Sequence, residues 1–221
     1  MLKTSFSFFL VLSLMLIIAI PGFSQNRAGK FGIGVDGSMQ YMLGAGTTNA
    51  SPILGYGINF SYSALEYIGI RGKFCYSPIS WKNSSGTSFS PDMISLNLFA
   101  GSNLMPNSTF NIFPFIGAGM AAFDPRDDNG ARPYKDGKPV PNIDLHIITG
   151  LSIDYFLNEF WSVSLMDEYV FTNSQYYAGS ADGNTNSDRF MRVSLQVRYY
   201  FFDSSFITKL IDSQRDRSKR K

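Results

Sequence analysis

Residues 142–155 of the chain read NIDLHIITGLSIDY, and most of the apolar side chains stand at every second position. One face would carry Ile143, Leu145, Ile147, Leu151, Ile153 and Tyr155, and the other Asp144, His146, Gly150, Ser152 and Asp154. Because successive side chains of a strand point to opposite faces, this alternation predicts a β-strand with one apolar and one polar face.

The same period of two recurs in seven other segments, which gives eight predicted strands. These segments are residues 30–41, 52–63, 67–77, 90–101, 110–123, 160–171 and 189–202. The segment 110–123 is the least regular, because its apolar residues fall on both faces and Pro114 interrupts it. A proline in a strand predicts a bulge or a place near the end of the strand.

The connections between these segments alternate in length along the chain. Residues 64–66, 102–109 and 157–159 form short gaps, whereas 42–51, 79–89, 124–141 and 172–188 form longer polar ones. Short periplasmic turns and long external loops are typical of outer-membrane β-barrels. An even number of strands would then place both ends of the barrel in the periplasm, with the long loops outside the cell.

The composition favours lipid, rather than water, around such a barrel. Aromatic residues make up 15% of the chain, with 20 Phe and 12 Tyr, yet no apolar run after residue 24 approaches the ~20 residues of a membrane helix. We therefore predict an all-β fold, an eight-stranded antiparallel up-and-down transmembrane β-barrel. A soluble barrel or sandwich is the alternative, and its barrel form would reverse the two faces.

The predicted inner face carries charged side chains, which would be costly to leave unpaired inside a narrow barrel. They are Arg71, Lys73, Asp154, Glu168, Arg192 and Arg198. We expect a lumenal ion-pair network that fills and stiffens the barrel, with a gated narrow pore as the alternative. Asp167 does not fit, because simple alternation aims it at lipid. It requires either a bulge or a place close to the outer interface.

The N-terminus has the features of a signal peptide at residues 1–24. Lys3 precedes an apolar run over residues 6–20, which ends at Pro21 and is too short to span a bilayer. Cleavage is expected before Gln25, and no cysteine near that point would accept a lipid.

The chain has a single cysteine, Cys75, so an intramolecular disulfide is excluded. Its net charge of +2, with 16% charged residues, suggests no nucleic-acid partner.

Three stretches resemble the outer-membrane β-barrel domain family of Bacteroidetes, whose members are PorT-like or OmpA-like small barrels. They are FNIFPFIGAGM at 110–120, GLSIDY at 150–155 and VSLQVRYYFF at 193–202. The resemblance covers about residues 28–202 and implies a fold and a location more than an activity. Such barrels end on an aromatic residue that the assembly machinery reads, which would be Phe202 here.

Beyond Phe202 the chain continues through residues 203–221, unlike a minimal barrel of that family. Phe206, Ile207, Leu210 and Ile211 have the spacing of a short amphipathic helix, and basic residues follow. We expect a solvated periplasmic tail, or alternatively a segment that lies on the inner leaflet or on a partner. The predicted domains are thus a signal peptide (1–24), a barrel (25–202) and a tail (203–221).

His146 is the single histidine, and it shares a face with Asp144 near the predicted outer rim. Some outer-membrane barrels are lipid A hydrolases or acyltransferases that use a histidine, a serine and a carboxylate near the rim. Here no nucleophile is identifiable, because Ser152 is six residues away along the strand, about 20 Å by the rise of a strand. A hydrogen-bonded lumenal or rim histidine is the favoured interpretation.

Two long loops carry the remaining candidate contacts. The loop at 124–141 contains Asp124, Asp127, Asp128 and Asp136, but not the ligand order of a known calcium loop. The loop at 172–188 contains Tyr176 and Tyr177, which favour a contact surface. Gly32-x-Gly34 and Gly55-x-Gly57 are read as strand glycines, not as phosphate loops.

These observations predict a non-enzymatic integral outer-membrane protein, structural or accessory to the envelope or to a secretion or adhesion complex. A lipid A hydrolase and a small gated pore are the alternatives. No catalytic, cofactor or metal residue is assigned. The expected partners are outer-membrane lipids and lipopolysaccharide, the barrel-assembly machinery and, through the loops or the basic tail, envelope or secretion-system proteins.

Overall fold

The computed structural model describes residues 29–43, 48–51, 53–78, 80–82, 88–89, 92–124, 134–135, 138–139, 142–172 and 189–201. Within them lie eight long strands: β1 (Phe31–Met42), β2 (Ile53–Tyr62), β3 (Ile68–Tyr76), β4 (Met93–Ser102), β5 (Phe110–Phe123), β6 (Ile143–Phe156), β7 (Trp161–Thr172) and β8 (Arg189–Phe201). The predicted signal peptide, the tail and Phe202 lie outside the described residues. No helix in the described ranges has the length and apolar character needed to cross a membrane.

The eight strands form a closed barrel in which each strand pairs antiparallel with its neighbours in the sequence. Closure is made by β1 and β8, whose register runs from Phe31 opposite Phe201 to Met42 opposite Phe190. The predicted strand number and the up-and-down order are confirmed. The short pieces Thr48–Ser51, Ser80–Lys82 and Ser88–Phe89 form one small sheet beyond the barrel strands, and Tyr134–Lys135 pairs with Lys138–Pro139.

The alternation of side chains gives the barrel an apolar exterior and a largely polar lumen, by which we mean the space inside the strands. Along β6, Leu145 and Ile147 on the outside are 68% and 58% exposed, whereas Asp144 and His146 between them are 7% and 3% exposed. A soluble barrel buries its apolar face, so the reversed arrangement expected for that alternative is wrong here. An exterior of this kind is stable against hydrocarbon rather than water.

Aromatic side chains border this apolar exterior at both ends, as expected where a barrel meets the two membrane interfaces. We call the end with the three short connections the turn end and the opposite one the loop end. The turn-end girdle includes Phe31, Tyr62, Tyr67, Phe160, Trp161, Tyr199 and Phe201. The loop-end girdle consists of Tyr41, Tyr56, Tyr76, Tyr169 and Phe171.

Pro114 lies within β5 without a bulge. The register with β6 runs unbroken through the pair Pro114 and Leu151. The ladder with β4 instead ends at Gly101 opposite Phe115, the residue that follows the proline, and the Pro114 carbonyl oxygen points at Gly101. The missing N–H therefore faces β4 just where that ladder ends. The predicted bulge is wrong; Pro114 is the fifth of the 14 residues of β5 and lies next to the last residue of the ladder with β4.

Asp167 also lies in an unshifted register, opposite Leu151 on β6 and Val193 on β8. The bulge that would have turned it inward is absent, and the side chain stands exposed on the barrel exterior. It is one outward position below Tyr169 of the loop-end girdle. The predicted bulge is therefore wrong, and a place close to the outer interface stays a prediction for this residue, the seventh of the 12 in β7.

Candidate functional site

The lumen holds the charged side chains of the described residues that are withdrawn from solvent. Strands β1, β2, β3 and β8 line one half of the lumen. Most of their inward side chains are polar or charged, and most of their outward side chains are apolar. The charged side chains extend from this wall, and from β6 and β7, toward the middle of the barrel. They form two clusters at different heights.

The central cluster is built around Lys73 and Glu168. Lys73 Nζ donates to Glu168 Oε1 at 2.7 Å and to Ser194 Oγ at 2.6 Å, and it lies 3.2 Å from Asp36 Oδ2. Arg192 donates to the other oxygen of Glu168 at 3.0 Å. Each oxygen of the carboxylate thus accepts from a different cation, and Glu168 joins strands β3, β7 and β8 across the lumen.

Gln40 of β1 extends this cluster toward the loop end. Its Oε1 accepts from Arg192 Nε at 3.1 Å and from Arg192 Nη2 at 2.9 Å. Arg192 is fully buried, so its guanidinium is held entirely by protein groups. Charge-assisted hydrogen bonds of this kind are stronger than neutral ones, particularly in a site that excludes water.

The turn-end cluster is built around the Asp154 carboxylate. Arg71 donates to it through Nη1 at 3.2 Å and Nη2 at 2.5 Å, and Asn111 and Ser152 donate at 3.3 and 2.7 Å. Arg198 Nη1 lies 4.0 Å from the same carboxylate and donates to Tyr200 Oη at 3.0 Å. The Arg71 guanidinium also lies 3.8 Å above the ring centre of Phe113. The cluster closes the lumen at this end.

All six charged residues that the sequence assigned to the lumen are therefore buried and paired. The structure adds members that the sequence analysis did not single out, namely Asp36, Gln40, Asn59, Asn97 and Asn111. Asp36 already stood on the predicted polar face of the first strand, and alternation was the signal that could have found it. Which acid would meet which base depends on distances across the barrel, and alternation along one strand carries no such information.

The inward faces of β4 to β8 also carry buried apolar side chains, which stand among polar ones such as Asn97 and His146. Buried residues of strands β4 to β8 form one cluster: Met93, Phe99, Phe113, Phe115, Ala121, Phe123, Ile148, Met166, Val170 and Phe190. This also explains the irregular pattern of residues 110–123, since Phe113, Phe115 and Phe123 face inward and Ile112 and Ile116 face outward. The lumen is a packed core in which the charged clusters lie against an apolar cluster rich in aromatic rings.

Little open space remains between these groups. A hollow at the turn end, lined by Ser61, Arg71 and Asn103 among others, has room for about one water molecule. A second hollow, beside Lys73 and Arg198, has no such room. In the described part of the barrel, the two charged clusters and the apolar cluster leave the lumen filled rather than open.

His146 lies inside the lumen near the loop end and is 3% exposed. Its Nε2 lies 2.8 Å from Asn97 Oδ1, and its ring meets the Phe190 ring edge-on with 6.4 Å between centroids. Ser152, the serine that shares its strand face, donates to Asp154 in the turn-end cluster. The structure therefore does not bring His146 and Ser152 together, and the hydrogen-bonded lumenal histidine is the interpretation that fits.

The candidate contacts on the long loops cannot be placed. Most of residues 124–141, including the aspartates after Asp124, lie outside the described residues, as do Tyr176 and Tyr177. The calcium alternative and the tyrosine contact surface remain predictions. Among the described residues, no group of three or more His, Cys, Asp or Glu side chains is placed to hold a metal ion.

Comparisons with known proteins identify the fold. No family profile and no curated protein sequence matches the chain, so the resemblance to the Bacteroidetes family remains a prediction. Among solved structures, outer membrane protein W of E. coli is 15% identical, covers 79% of this chain and 99% of its own, and has a TM-score of 0.50. OprG of Pseudomonas aeruginosa is 16% identical, covers 80% and 98%, and scores 0.49. Ail of Yersinia pestis is 14% identical, covers 79% and 99%, and scores 0.45. The chain has the closed eight-stranded fold of small outer-membrane β-barrels.

Proposed function

We propose that this chain is a non-enzymatic integral protein of the bacterial outer membrane that serves as a structural or accessory component of the envelope, or of a secretion or adhesion complex. The observation that carries the proposal is the filled lumen. Its charges are paired, aromatic rings pack beside them, and the apolar exterior is suited to lipid. The surfaces left for binding partners are therefore the two ends of the barrel. The loops form one end, and the turns and chain termini form the other.

The proposed orientation places the long loops outside the cell and both termini in the periplasm. The support is the alternation of short and long connections together with the even number of strands. In this arrangement the exterior contacts outer-membrane lipids and lipopolysaccharide, and the barrel-assembly machinery inserts the chain. The basic tail at 203–221 would then meet periplasmic or inner-leaflet partners. Membership of the PorT-like family is part of the same proposal.

A gated pore is less well supported, because opening it would require several buried pairs to separate together. Breaking one buried ion pair by removing one partner typically costs about 3–5 kcal/mol. A lipid A hydrolase is also less well supported. His146 is buried within the lumen, where an acyl chain on the outside of the barrel does not reach it, and Ser152 is engaged at the other end.

The first test is whether the protein resides in the outer membrane as a barrel. Membranes should be fractionated, and the outer-membrane fraction should be run on gels with and without boiling. We expect a band whose mobility changes on heating, as folded barrels resist the detergent. Recovery in the soluble fraction, or mobility that heat leaves unchanged, would count against the proposal.

The second test separates the accessory role from its alternatives. A strain that lacks the gene should lose envelope integrity, secretion or adhesion, and the intact gene should restore it. Genes that lack residues 203–221, or that carry a short turn in place of the loop at 172–188, should fail to restore it. His146→Ala should preserve it. Lipid A turnover by the purified protein that His146→Ala abolishes would favour the hydrolase instead. Steady conductance in planar bilayers that changes with Glu168→Gln would favour the pore.

A further inference from the structure

Along the eight long strands, the exterior of the barrel carries two charged side chains, and they lie on neighbouring strands. They are Asp167 of β7 and Arg189 of β8. Every other outward position of these strands holds an uncharged residue. A charge is costly on a surface that faces hydrocarbon. Two charges on adjacent strands, with none on the outside of the other six, therefore indicate a specific polar partner at the β7–β8 surface.

Arg189 lies at the level of the loop-end girdle. It is the first residue of β8 and stands opposite Phe171. Its guanidinium carbon lies 5.8 Å from the centre of the Phe171 ring, which meets the Tyr169 ring edge-on with 4.8 Å between centroids. The aromatic ring favours a cation at this height. Because a guanidinium binds phosphate oxygens through two parallel N–H bonds, Arg189 is suited to the phosphate of a lipid head group.

Asp167 lies deeper on the same surface. It stands opposite Val193, four residues along β8 from Arg189. Four residues of a strand span about 14 Å, which the tilt of a barrel strand reduces to roughly 10 Å of depth. An ionised carboxylate can only accept hydrogen bonds. The partner of Asp167 must therefore present an N–H or O–H group well below the level of its phosphate.

These two requirements distinguish between the lipids of an outer membrane. In a glycerophospholipid the linkages below the phosphate are esters, which accept hydrogen bonds but donate none. In lipid A, the membrane anchor of lipopolysaccharide, the sugar phosphate lies above amide N–H groups and the hydroxyl groups of 3-hydroxyacyl chains. We propose that the β7–β8 surface is a binding site for lipid A, in which Arg189 donates to the phosphate and Asp167 accepts from an amide or hydroxyl group beneath it.

The side chains between the two charges suit the rest of such a lipid. Tyr169 lies one outward position above Asp167, with Thr149 and Met191 opposite it on the two neighbouring strands. Farther from the loop end, Leu195 is 59% exposed and offers an apolar contact for acyl chains. The inference rests on the proposed location and orientation, because lipid A lies in the outer leaflet, on the side of the long loops.

Lipid binding by the folded protein tests the site. The protein is refolded in detergent, and a band whose mobility changes on heating verifies the barrel. It is then titrated with lipid A, with lipid A stripped of its phosphates, or with phosphatidylglycerol, and native mass spectrometry measures the bound fraction. Lipid A should bind about tenfold more tightly than either of the others, because each of them lacks one of the two charged contacts.

The outcomes separate this site from the proposed function. If a folded barrel binds the three lipids equally, the lipid A site is wrong, and the location in the outer membrane is unaffected. If no heat-modifiable band forms, both are wrong.

Two substitutions assign the contacts. Arg189→Leu should lower the affinity for lipid A by about tenfold and leave that for the dephosphorylated form unchanged. Asp167→Leu should lower the affinity for both forms of lipid A and leave that for phosphatidylglycerol unchanged.

The matched controls remove the same charges elsewhere on the barrel. Lys30→Leu removes a cation at the turn end, whose Nζ donates to the Glu159 carbonyl. Asp92→Leu removes a loop-end carboxylate that accepts from Tyr76 Oη of β3, on the far side of the barrel. Both controls should bind lipid A like the parent. Variants at Arg189 and Asp167 that bind lipid A as tightly as their controls would overturn the proposal.

Discussion

The Arg71 guanidinium donates two hydrogen bonds to the Asp154 carboxylate, of 3.2 and 2.5 Å, although 83 residues separate the two side chains in the chain. The pair joins β3 to β6 across the full width of the lumen. Both side chains are nearly or completely withdrawn from water, at 6% and 0% exposure. Each charge therefore depends on the other for its stabilisation.

Removing one partner of this pair should destabilise the barrel strongly. Arg71→Ala or Asp154→Ala leaves a buried charge without its partner, which we expect to lower the free energy of unfolding by about 3–5 kcal/mol. Urea unfolding in lipid vesicles, followed by tryptophan fluorescence, measures the change. The double variant Arg71→Leu/Asp154→Leu should lose less than the two single variants combined. Lys30→Ala, at a half-buried site at the turn end, is the control, and single variants no less stable than this control would refute the pairing.

Replacing the lipid-facing carboxylate should stabilise the barrel. Asp167 stands exposed on the exterior in an unshifted register, so Asp167→Leu removes a charge from the apolar surface and should raise the free energy of unfolding by about 1 kcal/mol. Leu165→Asp is the matched control, because it places the same carboxylate one outward position farther from the loop end. That control should be destabilised. Equal stability of all three proteins would show that this wall does not face hydrocarbon.

Two glycines on opposite faces should respond differently to a methyl group. Gly119→Ala would crowd Asn97 and His146, and we expect a loss of about 1–3 kcal/mol because a packed interior resists added volume. At Gly37, on the exterior, an added Cβ meets nothing within 4 Å, so Gly37→Ala should be close to neutral. The same urea titration compares both variants with the parent. A neutral Gly119→Ala would contradict the packing of the lumen.

Trp161 should report where the turn end meets the membrane. The chain has two tryptophans, and in Trp81→Phe only Trp161 of the turn-end girdle remains. We expect its fluorescence to be quenched more strongly by lipids brominated near the headgroup than by lipids brominated near the chain end, because girdle residues lie at the interface. Val163→Trp in a background without the other two tryptophans is the deeper control. The opposite order of quenching would displace the proposed membrane boundary.

Strand number, topology and the two faces could be predicted from the sequence because each depends on local regularities. The period of two in NIDLHIITGLSIDY, for example, already separates Leu145 and Ile147 from Asp144 and His146. A strand that faces lipid on one side cannot slip by one residue without turning that whole set around. The same reasoning placed the six charges that we assigned to the lumen, since each stands on the polar side of its own strand.

The partners of those charges were decided only by the closed barrel. Glu168 meets Lys73 from 95 residues away and Arg192 from 24, and neither pairing follows from spacing along the chain. Shear and tilt set which inward positions share a height, and the sequence of a single strand does not encode them. For the same reason alternation could not settle whether Pro114 and Asp167 shift the register, or that the Phe113 and Phe115 rings pack inside the lumen. The faces of each strand were therefore determined by the sequence, whereas the contacts inside the lumen were determined by how eight strands close on one another.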